Sequence, residues 1–538
     1  MKIGHLKNTI SLFLLFFFTG IGVFGQFYNG LQMSFGKNRV QYWDFYWSYY
    51  RFEKFDTYFN EYGRELAEYT ANYAEKRIIE LEDYFDYYLD KRLIFLIYNK
   101  LSDFKQSNIG LISGNEEFNT GGVTKIIKNK VILYFEGDHK KFEQQISSAI
   151  AEVLIYEMLY SGDVKDRVAN STLINMPDWY FKGLISYLSN PWDYEVENRV
   201  KDGILTDKYK KFNRLTGEEA VYAGHSFWKY LAEKYGDPII PNIIYLTRIN
   251  KNVNNGFLYV LGSKIKDLSK DWLVYYQEKY QNTDVSRDLP DNPPILAKSK
   301  RTRVYNKVRI SPDGQHLAYS SNESGQYKIW IYDSQTRKHK KIIKKEAKID
   351  QINDFSYPIL AWHPSGKLLA FITEEKGGLV QYLYRLSTRE LERKNILYYD
   401  KILDFSYSHD GTQFVFSAVK EGLTDLFVHN IASSTNEQLT RDIADDFHPR
   451  FVRNSDAIIF SSNRLSDTLY FRGDLAEKTG LNFDLFIYDY KNKSPYLTRL
   501  REGIYLDKLD PSEVSNNNYL YLNDLNGILN RYVAQFDS

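Results

Sequence analysis

The sequence has no cysteine among its 538 residues. This absence excludes disulfide bonds, cysteine nucleophiles, thiolate metal sites and a lipid anchor on an N-terminal cysteine. The sequence also lacks an excess of charge of either sign, because 70 Lys and Arg residues stand against 69 Asp and Glu residues. This balance gives no electrostatic reason to expect a nucleic acid or an anionic membrane surface as a partner.

Long apolar runs are absent except at the N-terminus. There a basic start, Lys2–Lys7, precedes the mostly apolar stretch Ile10–Val23. This pattern is typical of a secretory signal peptide, with cleavage expected between Gly25 and Gln26. An uncleaved anchor is the alternative, although about 14 residues are few for a membrane span. We expect an exported chain without a transmembrane segment after residue 25, periplasmic or associated with the outer membrane of a Gram-negative bacterium.

The length of the chain predicts more than one domain. Its 46 Tyr, 34 Phe and 8 Trp residues favour packed cores and sheet surfaces over disorder. Residues 282–303 contain three prolines and scattered charges without apolar periodicity, which predicts a linker. After the signal peptide of residues 1–25, this linker separates a domain of residues 26–281 from a domain of residues 304–538.

Strand patterns precede helix patterns in residues 26–281, which is the order of an α+β domain. The predicted strands are two within Asn38–Asn60 with a bend near Asp44, a central one at Arg92–Tyr98, and a hairpin of Val123–Lys128 with Val131–Phe135. The predicted helices are Gly63–Asp90, Phe142–Tyr160, Asp178–Ser189, Thr216–Tyr235, Ile239–Arg248 and Ile265–Tyr280.

The segment Phe142–Tyr160 repeats apolar residues at helical spacing, so one face of this helix should lie in a core. A second helical segment, Asp178–Tyr187, reads DWYFKGLISY. Together with Tyr222–Phe227 and Leu261–Ser263, these segments resemble the peptidase MA-like group of gluzincins over roughly Asn38–Tyr280. In that group a helix carries H-E-x-x-H, and a later segment, W-F-x-E-G-x-A-x-Y, supplies the third zinc ligand.

All four functional positions of that group are changed in this sequence. Ser148 and Glu152 stand at the two histidine positions, Ala149 at the general base, and Lys182 at the third ligand. A catalytic zinc needs three protein ligands and a base beside its water, and Glu152 alone among these residues can bind a metal. We therefore expect four vestigial positions, a Glu152–Lys182 pair, no catalytic residue, no metal site and no cofactor.

An atypical zinc site is the alternative to this interpretation. The closest two of the nine histidines, His429 and His448, are 19 residues apart, so H-x-x-x-H occurs nowhere. A site built from Glu152, Glu157 and His225 would still make the chain an active metallopeptidase.

A turn motif recurs in residues 304–538 at a spacing of about 40–50 residues, which is typical of β-propeller blades with four strands each. Asp or Ser followed by Gly supplies the tight hairpin turn of each unit. The clear examples are Ser311-Pro312-Asp313-Gly314, His363-Pro364-Ser365-Gly366 and Ser408-His409-Asp410-Gly411. Weaker units run through Pro449–Asp489 and Tyr519–Tyr532.

This repeat resembles the TolB-like and WD-type propeller families, of which the TolB-like propellers commonly have six blades. We predict an all-β propeller of about five blades, and closure with five or six stays open. A β-sandwich is the alternative.

Other catalytic motifs are missing, since neither G-x-S-x-G nor a glycine-rich phosphate loop occurs. We interpret the remaining polar candidates as structural. They are Ser226, a packing residue inside a helix; Asp445 and Asp446, turn or loop residues; and His363, His409 and His448, turn residues.

These observations favour a non-catalytic binding or scaffold protein of the cell envelope. A pseudo-metallopeptidase domain would be a docking body, and loops on the top face of the propeller would bind a protein partner in an outer-membrane or secretion-associated complex. The first alternative is a zinc metallopeptidase with an atypical site. The second is a glycan-binding envelope protein, which the Tyr and Trp content permits and which requires aromatic side chains along one open groove.

Overall fold

The computed structural model describes most of the chain beyond the N-terminal segment. The described residues are 40–107, 125–127, 129–160, 176–281, 294–296, 300, 302–346, 348, 354–469, 482–500, 506–515, 517–525 and 527–535. The predicted signal peptide lies outside these residues. We call residues 40–281 the N-terminal region.

A five-stranded sheet of order β1-β2-β3-β5-β4 begins the N-terminal region. Its strands are β1 (Ser48–Arg51), β2 (Phe55–Phe59), β3 (Leu93–Tyr98), β4 (Lys125–Ile127) and β5 (Lys130–Tyr134). β3 pairs in parallel with β2 and β5, whereas β1 and β4 are antiparallel to their neighbours at the two edges. The continuous apolar sequence of β3 explains its central position, because both faces of a central strand are buried.

Helices cover the sheet and form most of the remaining N-terminal region. They are α1 (Arg64–Phe85), α2 (Leu101–Phe104), α3 (His139–Tyr160), α4 (Asp178–Ser189), α5 (Tyr194–Leu205), α6 (Gly217–Tyr235), α7 (Ile239–Asn250), α8 (Val253–Leu261) and α9 (Ile265–Gln281), with a 3-10 turn at Lys208–Arg214. α3 is the central helix, because it packs against α1, α4, α7 and β5 and is buried along most of its length.

The sequence predicted most of these elements, with one misplaced bend and four omissions. The bend expected near Asp44 lies between Arg51 and Phe55 instead, where the antiparallel register of β1 and β2 closes a hairpin. The sequence did not predict α2, α5, α8 or the 3-10 turn. Three of these are short, and α5 has only four buried residues, so its apolar periodicity is weak.

The C-terminal part is a β-propeller of five blades, as the repeated turn motif predicted, and not a β-sandwich. Four blades have four strands, and the fifth has three among the described residues. The blades are β6–β9 (Val304–Ile310, His316–Glu323, Gln326–Asp333, Lys338–Lys345), β10–β13 (Ile359–Trp362, Leu368–Glu375, Gly378–Arg385, Leu391–Ile396), β14–β17 (Lys401–Tyr407, Gln413–Lys420, Leu423–Asn430, Thr435–Gln438), β18–β21 (Asp446–Val452, Ala457–Ser462, Asp484–Asp489, Leu497–Leu500) and β22–β24 (Lys508–Ser515, Asn518–Asn523, Asn530–Gln535). The first strands of consecutive blades lie side by side, from β6 to β22.

The recurring turn motif has the same hydrogen bonds in two blades. In the first blade Ser311 Oγ donates to Asp313 at 2.5 Å and accepts from the backbone of His316 at 2.9 Å. Ser408 makes the same two bonds in the third blade, to Asp410 and from Gln413. Each motif ends in a glycine with positive φ, which that residue adopts without strain. The motif is therefore a turn between the first and second strands of a blade.

No helix in the part of the chain that the structure describes combines the length and apolar character needed to cross a bilayer.

Close contact of α4 and α6 depends on two glycines. A methyl group on Gly224 would lie 2.1 Å from the carbonyl oxygen of Trp179, and one on Gly183 would lie 2.5 Å from the Cα of Gly224. These separations are far below van der Waals contact, so no larger residue fits without moving a helix.

We expect Gly224→Ala to lower the free energy of unfolding by about 2–3 kcal/mol, because the added methyl group forces the two helices apart. Urea denaturation followed by circular dichroism measures the change. Gly378→Ala is the matched control, since its added methyl group would approach nothing closer than 3.7 Å. Equal stabilities of the two variants would contradict the close packing.

Candidate functional site

The first two vestigial positions belong to the core rather than to an open cleft. Ser148 and Ala149 are fully buried on α3. Ser148 Oγ donates to Ser189 Oγ at 2.8 Å, and Ser189 in turn donates to the carbonyl of Ile185 on α4. The pair of hydroxyls thus joins the two helices that carry the zinc ligands in the gluzincin group.

The other two vestigial positions, Glu152 and Lys182, are half-buried on the same two helices. Lys182 Nζ lies 3.3 Å from Asp178 Oδ1 in an ion pair one helical turn apart. The ammonium of Lys182 is therefore paired with a carboxylate. Lys182 is the position at which the gluzincin resemblance would expect the third zinc ligand. The Glu152–Lys182 pair stays a prediction.

The structure does not bring the atypical zinc set together. Glu157 accepts a hydrogen bond from the backbone of Asp90 at 3.3 Å, whereas His225 Nδ1 lies 2.9 Å from Ser186 Oγ. Among the described residues, no group of three His, Asp or Glu side chains is placed to hold a metal ion. Ser226 donates to the carbonyl of Ala223 inside α6, in agreement with its predicted structural role.

One loop face of the propeller is covered by the N-terminal region. This face, which we call the docked face, carries the loops between blades and the loops between the second and third strands of each blade. Lys100 Nζ donates to the carbonyl of Gly377 at 2.7 Å, and Thr424 Oγ1 donates to that of Gly137 at 3.0 Å. Val419 belongs to the same buried core as the N-terminal helices. The domains therefore share apolar packing as well as hydrogen bonds.

A buried histidine and a buried aspartate join the two parts of the chain. Asp445 of the propeller accepts the backbone N–H of His139 at 2.8 Å, and its other oxygen lies 2.6 Å from His139 Nδ1. The two side chains are 2% and 0% exposed. Because His139 is the first residue of α3, the carboxylate also satisfies an N-terminal N–H group of that helix. We call this contact the clasp.

The clasp binds protons more tightly than its separated partners do. Burial lowers the pKa of His139, but the charge and hydrogen bond of Asp445 outweigh it and raise that pKa. Burial also raises the pKa of Asp445, and His139 offsets this only in part. Asp138 and Glu143 add negative charge beside the clasp, and the Tyr69 hydroxyl donates to Glu143 at 2.7 Å.

Asp445 lies in the loop before β18, in agreement with its prediction as a turn or loop residue, whereas Asp446 is the first residue of that strand, so its prediction was wrong. Asp446 is fully buried and binds Arg464 through two hydrogen bonds of 2.7 and 2.8 Å. Arg464 also reaches Asp442 at 3.4 Å. Burial raises the pKa of Asp442 to about 6, although Arg464 opposes the shift. The buried guanidinium of Arg464 lies between the carboxylates of Asp446 and Asp442. Its charge offsets the free-energy cost of removing these carboxylates from water beside the loop that carries Asp445.

A second charged contact closes the docked end of the propeller channel. Glu136, from the loop before α3, pairs with Lys401 at the start of β14 and accepts the backbone N–H of Leu101 at 3.0 Å. Burial raises the pKa of Glu136, and Lys401 opposes this rise.

Further along the channel, ion pairs cross between blades. Arg450 contacts Asp404 at 2.7 Å and Asp510 at 2.8 Å, and Arg309 contacts Asp404 at 3.3 Å. Burial alone raises the pKa of Asp404, but the two arginines hold it below its usual range. His448 lies here, in strand β18, so its interpretation as a turn residue was wrong. Burial lowers its pKa.

The opposite face of the propeller, which we call the turn face, carries the recurring turns. His363 and His409 are turn residues as predicted, since each ring contacts a serine hydroxyl of a turn, at 2.9 and 3.0 Å. A groove of 630 Å³ lies between the third, fourth and fifth blades. It is lined by His409, Arg453, Asn454, Glu513, Val514, Ser515 and Asn517.

The groove owes its shape to an unusual turn in the fourth blade. Arg453, Asn454 and Ser455 all have positive φ, where the first three blades have the motif ending in glycine. The Glu513 carboxylate accepts the backbone N–H of Arg453 at 3.0 Å, and Arg453 Nε donates to the Tyr519 hydroxyl at 3.2 Å. These bonds stabilise the turn against the fifth blade and leave the groove open beside it.

Sequence reasoning missed the clasp. One signal was available, because His139 directly precedes a strongly apolar helix and is one of only two histidines in residues 26–281. Its partner lies 306 residues further along the chain, and no local pattern connects the two.

No family model and no curated protein matches the chain. Solved structures similar to it include a putative TolB from Agrobacterium tumefaciens, with 17% identity, 41% of this chain and 70% of that chain covered, and a TM-score of 0.32. TolB from Acinetobacter baumannii is 16% identical, and the match covers 51% of this chain and 60% of that chain with a TM-score of 0.27. The propeller domain of the Trilobed protease from Pyrococcus furiosus is 12% identical, and the match covers 45% of this chain and 83% of that chain with a TM-score of 0.30.

We expect Asp445→Asn to lower the free energy of unfolding by about 3 kcal/mol at pH 6, because it removes one partner of a buried ion pair. The pKa of His139 is raised in the folded chain, so the stabilisation by its charged ring is complete below the ordinary histidine pKa of 6.5 and falls as the pH rises through the raised pKa. Denaturant titrations of both proteins between pH 5 and pH 9 measure the difference.

Asp456→Asn is the control for this experiment, since Asp456 and Lys491 form an exposed ion pair at 2.9 Å. Its effect should stay below about 1 kcal/mol at every pH. A loss from Asp445→Asn that grows with rising pH would contradict the assigned direction.

Proposed function

We propose that the chain is a non-catalytic scaffold protein of the cell envelope whose propeller binds a protein partner through the turn face. The observation that carries this proposal is the division of the two loop faces. The docked face is occupied by the N-terminal region, through contacts at Gly377, Gly422 and Asp445. The turn face holds an open groove. The proposed partner surface is therefore the turn face.

The shape and chemistry of the groove suit a protein segment. Its lining combines the exposed apolar Val514 with the charged Arg453 and Glu513 and with neutral polar side chains. Glu513, Val514 and Ser515 lie in strand β22, and the other lining residues lie in short turns between strands, so ordering them on binding costs little conformational entropy. The resemblance of the turn repeat to TolB-like propellers, which act within envelope complexes, supports the location, as does the signal-like N-terminus.

In this proposal the N-terminal region is a degenerate peptidase-like body. Its core helices α3 and α4 pack against each other, and on them Ser148 is bound to Ser189 and Lys182 to Asp178. A hydroxyl pair and an ion pair at these positions support a structural role. The clasp couples this body to the propeller, so the chain presents the turn face in one fixed orientation.

We expect the purified protein to contain less than about 0.1 zinc per chain after dialysis, because a catalytic zinc requires three protein ligands and a base. Inductively coupled plasma mass spectrometry measures the metal content, with Glu152→Ala as a second sample. One tightly held zinc per chain that is lost in Glu152→Ala would overturn the proposal in favour of a metallopeptidase.

We expect Val514→Asp to reduce recovery of the native complex at least about tenfold, since a charge in the centre of an interface is costly when it is desolvated. Affinity purification of the tagged protein from the solubilised membrane fraction, followed by size-exclusion chromatography, measures recovery of the complex.

Val533→Asp is the matched control. Val514 and Val533 belong to the same blade and are 60% and 62% exposed, but only Val514 lines the groove. Equal recovery with both variants, or a wild-type protein that elutes alone, would argue against binding through this groove.

A further inference from the structure

Three consecutive residues beside the turn-face groove have a backbone conformation that residues with a side chain rarely adopt. Arg453, Asn454 and Ser455 have φ angles of 52°, 54° and 74°. Glu513 accepts the backbone N–H of Arg453 at 3.0 Å. Ser455 Oγ accepts the backbone N–H of His409 at 2.8 Å. Strained turns that neighbouring groups hold in place cluster at ligand-binding sites, so this turn is a candidate contact with the partner.

The strained turn carries the guanidinium of Arg453. Its Nε donates to the hydroxyl of Tyr519, a side chain that is buried between the fourth and fifth blades. The two Nη groups make no hydrogen bond or ion pair among the described residues, and Arg453 is exposed and lines the groove. Because the guanidinium is planar, anchoring at Nε leaves the edge formed by the two Nη groups available. This edge matches the two oxygens of a carboxylate.

Two carboxylates of the protein lie near this guanidinium without pairing with it. Both oxygens of Glu513 lie close to the backbone N–H of Arg453, at 3.0 and 3.2 Å. Asp489 accepts the backbone and side-chain N–H groups of Asn492, and these bonds, together with the charge of Arg453, hold its pKa below its usual range. A dianionic phosphate on Arg453 would therefore meet two fixed negative charges. A singly charged carboxylate is the anion that suits this position better.

An apolar side chain lies next to the arginine. Val514 follows Glu513 in β22 and is 60% exposed. The pairing of β22 with β23 shifts register between Glu513 and Ser515, so Val514 has no partner residue at this bulge. Because Glu513 is bonded to Arg453, the groove offers an apolar contact and an unpaired cation side by side.

We propose that the protein segment bound in the turn-face groove is acidic. An internal Asp or Glu side chain of the partner accepts hydrogen bonds from both Nη groups of Arg453, and an apolar side chain next to it packs on Val514. The lining extends from His409 in the third blade to Asn517 in the fifth. A segment that crosses all three blades therefore reaches the arginine with an internal residue. This assignment rests on the proposed binding function of the turn face and adds the chemistry of the partner.

Retention of peptide mixtures on the immobilised full chain tests the proposal. The probes are dye-labelled pentapeptides capped at both ends, with Asp at the centre and random uncharged residues at the other four positions. The matched mixture has Asn at the centre. We expect the Asp mixture to be retained at least about fivefold more than the Asn mixture at low ionic strength. This preference should decrease at high ionic strength, because salt screens an exposed ion pair.

Substitutions of Arg453 separate its charge from the shape of the groove. We expect Arg453→Met to abolish the preference for Asp over Asn. Arg453→Glu reverses the charge, so a mixture with Lys at the centre should then be retained at least about fivefold more than the Asp mixture. Unfolding midpoints of the variants, measured by circular dichroism, separate a lost contact from a lost fold.

Arg337→Met is the matched control. Arg337 is also exposed and also has a positive φ, of 55°, but it does not line the groove. We expect this variant to retain the Asp preference of the wild type.

Three results would overturn the proposal. The first is equal retention of the Asp and Asn mixtures by the wild type, and the second is an Asp preference that survives Arg453→Met. The third is stronger retention of an Asn mixture with a free C-terminal carboxylate, or of a phosphoserine mixture, than of the Asp mixture. That result would assign the arginine to a chain terminus or to a phosphopeptide.

Failure of this assignment is separable from failure of the scaffold function. A native complex that is lost in Val514→Asp but recovered normally with Arg453→Glu would support binding through the groove and reject the acidic segment. Equal recovery with Val514→Asp and Val533→Asp would instead argue against the groove itself.

Discussion

One buried carboxylate joins the two parts of the chain at the start of the central helix, beside the apolar packing and hydrogen bonds that they share. Asp445 accepts both the first backbone N–H of the central helix α3 and the ring N–H of His139. It therefore acts as a cap for a helix that belongs to another part of the chain, and it does so where water is excluded. Loss of this contact would leave a helix end, an imidazole and a carboxylate buried without partners. Removing one partner while the others stay buried is therefore unfavourable, and titration of the pair makes association of the two parts sensitive to pH.

Docking through the clasp determines which surfaces of the propeller remain for other molecules. The loops at Gly377 and Gly422 face the N-terminal region, and a methyl group on Gly422 would lie 2.7 Å from Leu66. The turn face, with its recurring glycine turns and the groove beside Val514, is opposite. Within the N-terminal region, α3 and α4 pack against each other and are joined by the hydrogen bond between Ser148 and Ser189.

Much of the fold could be predicted from local patterns. The helix Asp178–Ser189 was predicted with its observed limits, and the central strand β3 followed from an uninterrupted apolar run. The blades followed from a recurring turn motif, whose serine and aspartate form the same hydrogen bonds in the first and third blades. The hairpin of β1 and β2 was misplaced, because the aromatic residues from Tyr42 to Tyr50 favour strands without marking where pairing begins. The sites were less predictable: Asp445, Asp446 and His448 resembled turn residues, yet all three are engaged in buried charge networks.

The sequence by itself determined the elements that depend on neighbouring residues. These are the apolar stripe of α3, the blade repeat and the substitutions at Ser148, Ala149, Glu152 and Lys182. Only the tertiary structure decided which residues at distant positions meet. His139 and Asp445 are 306 residues apart, and the contact of Ser186 with His225 requires the close crossing of α4 and α6 that Gly183 and Gly224 permit. Periodicity and turn chemistry act over a few residues, whereas burial and charge pairing act through space, so a sequence pattern can encode the former without revealing the latter.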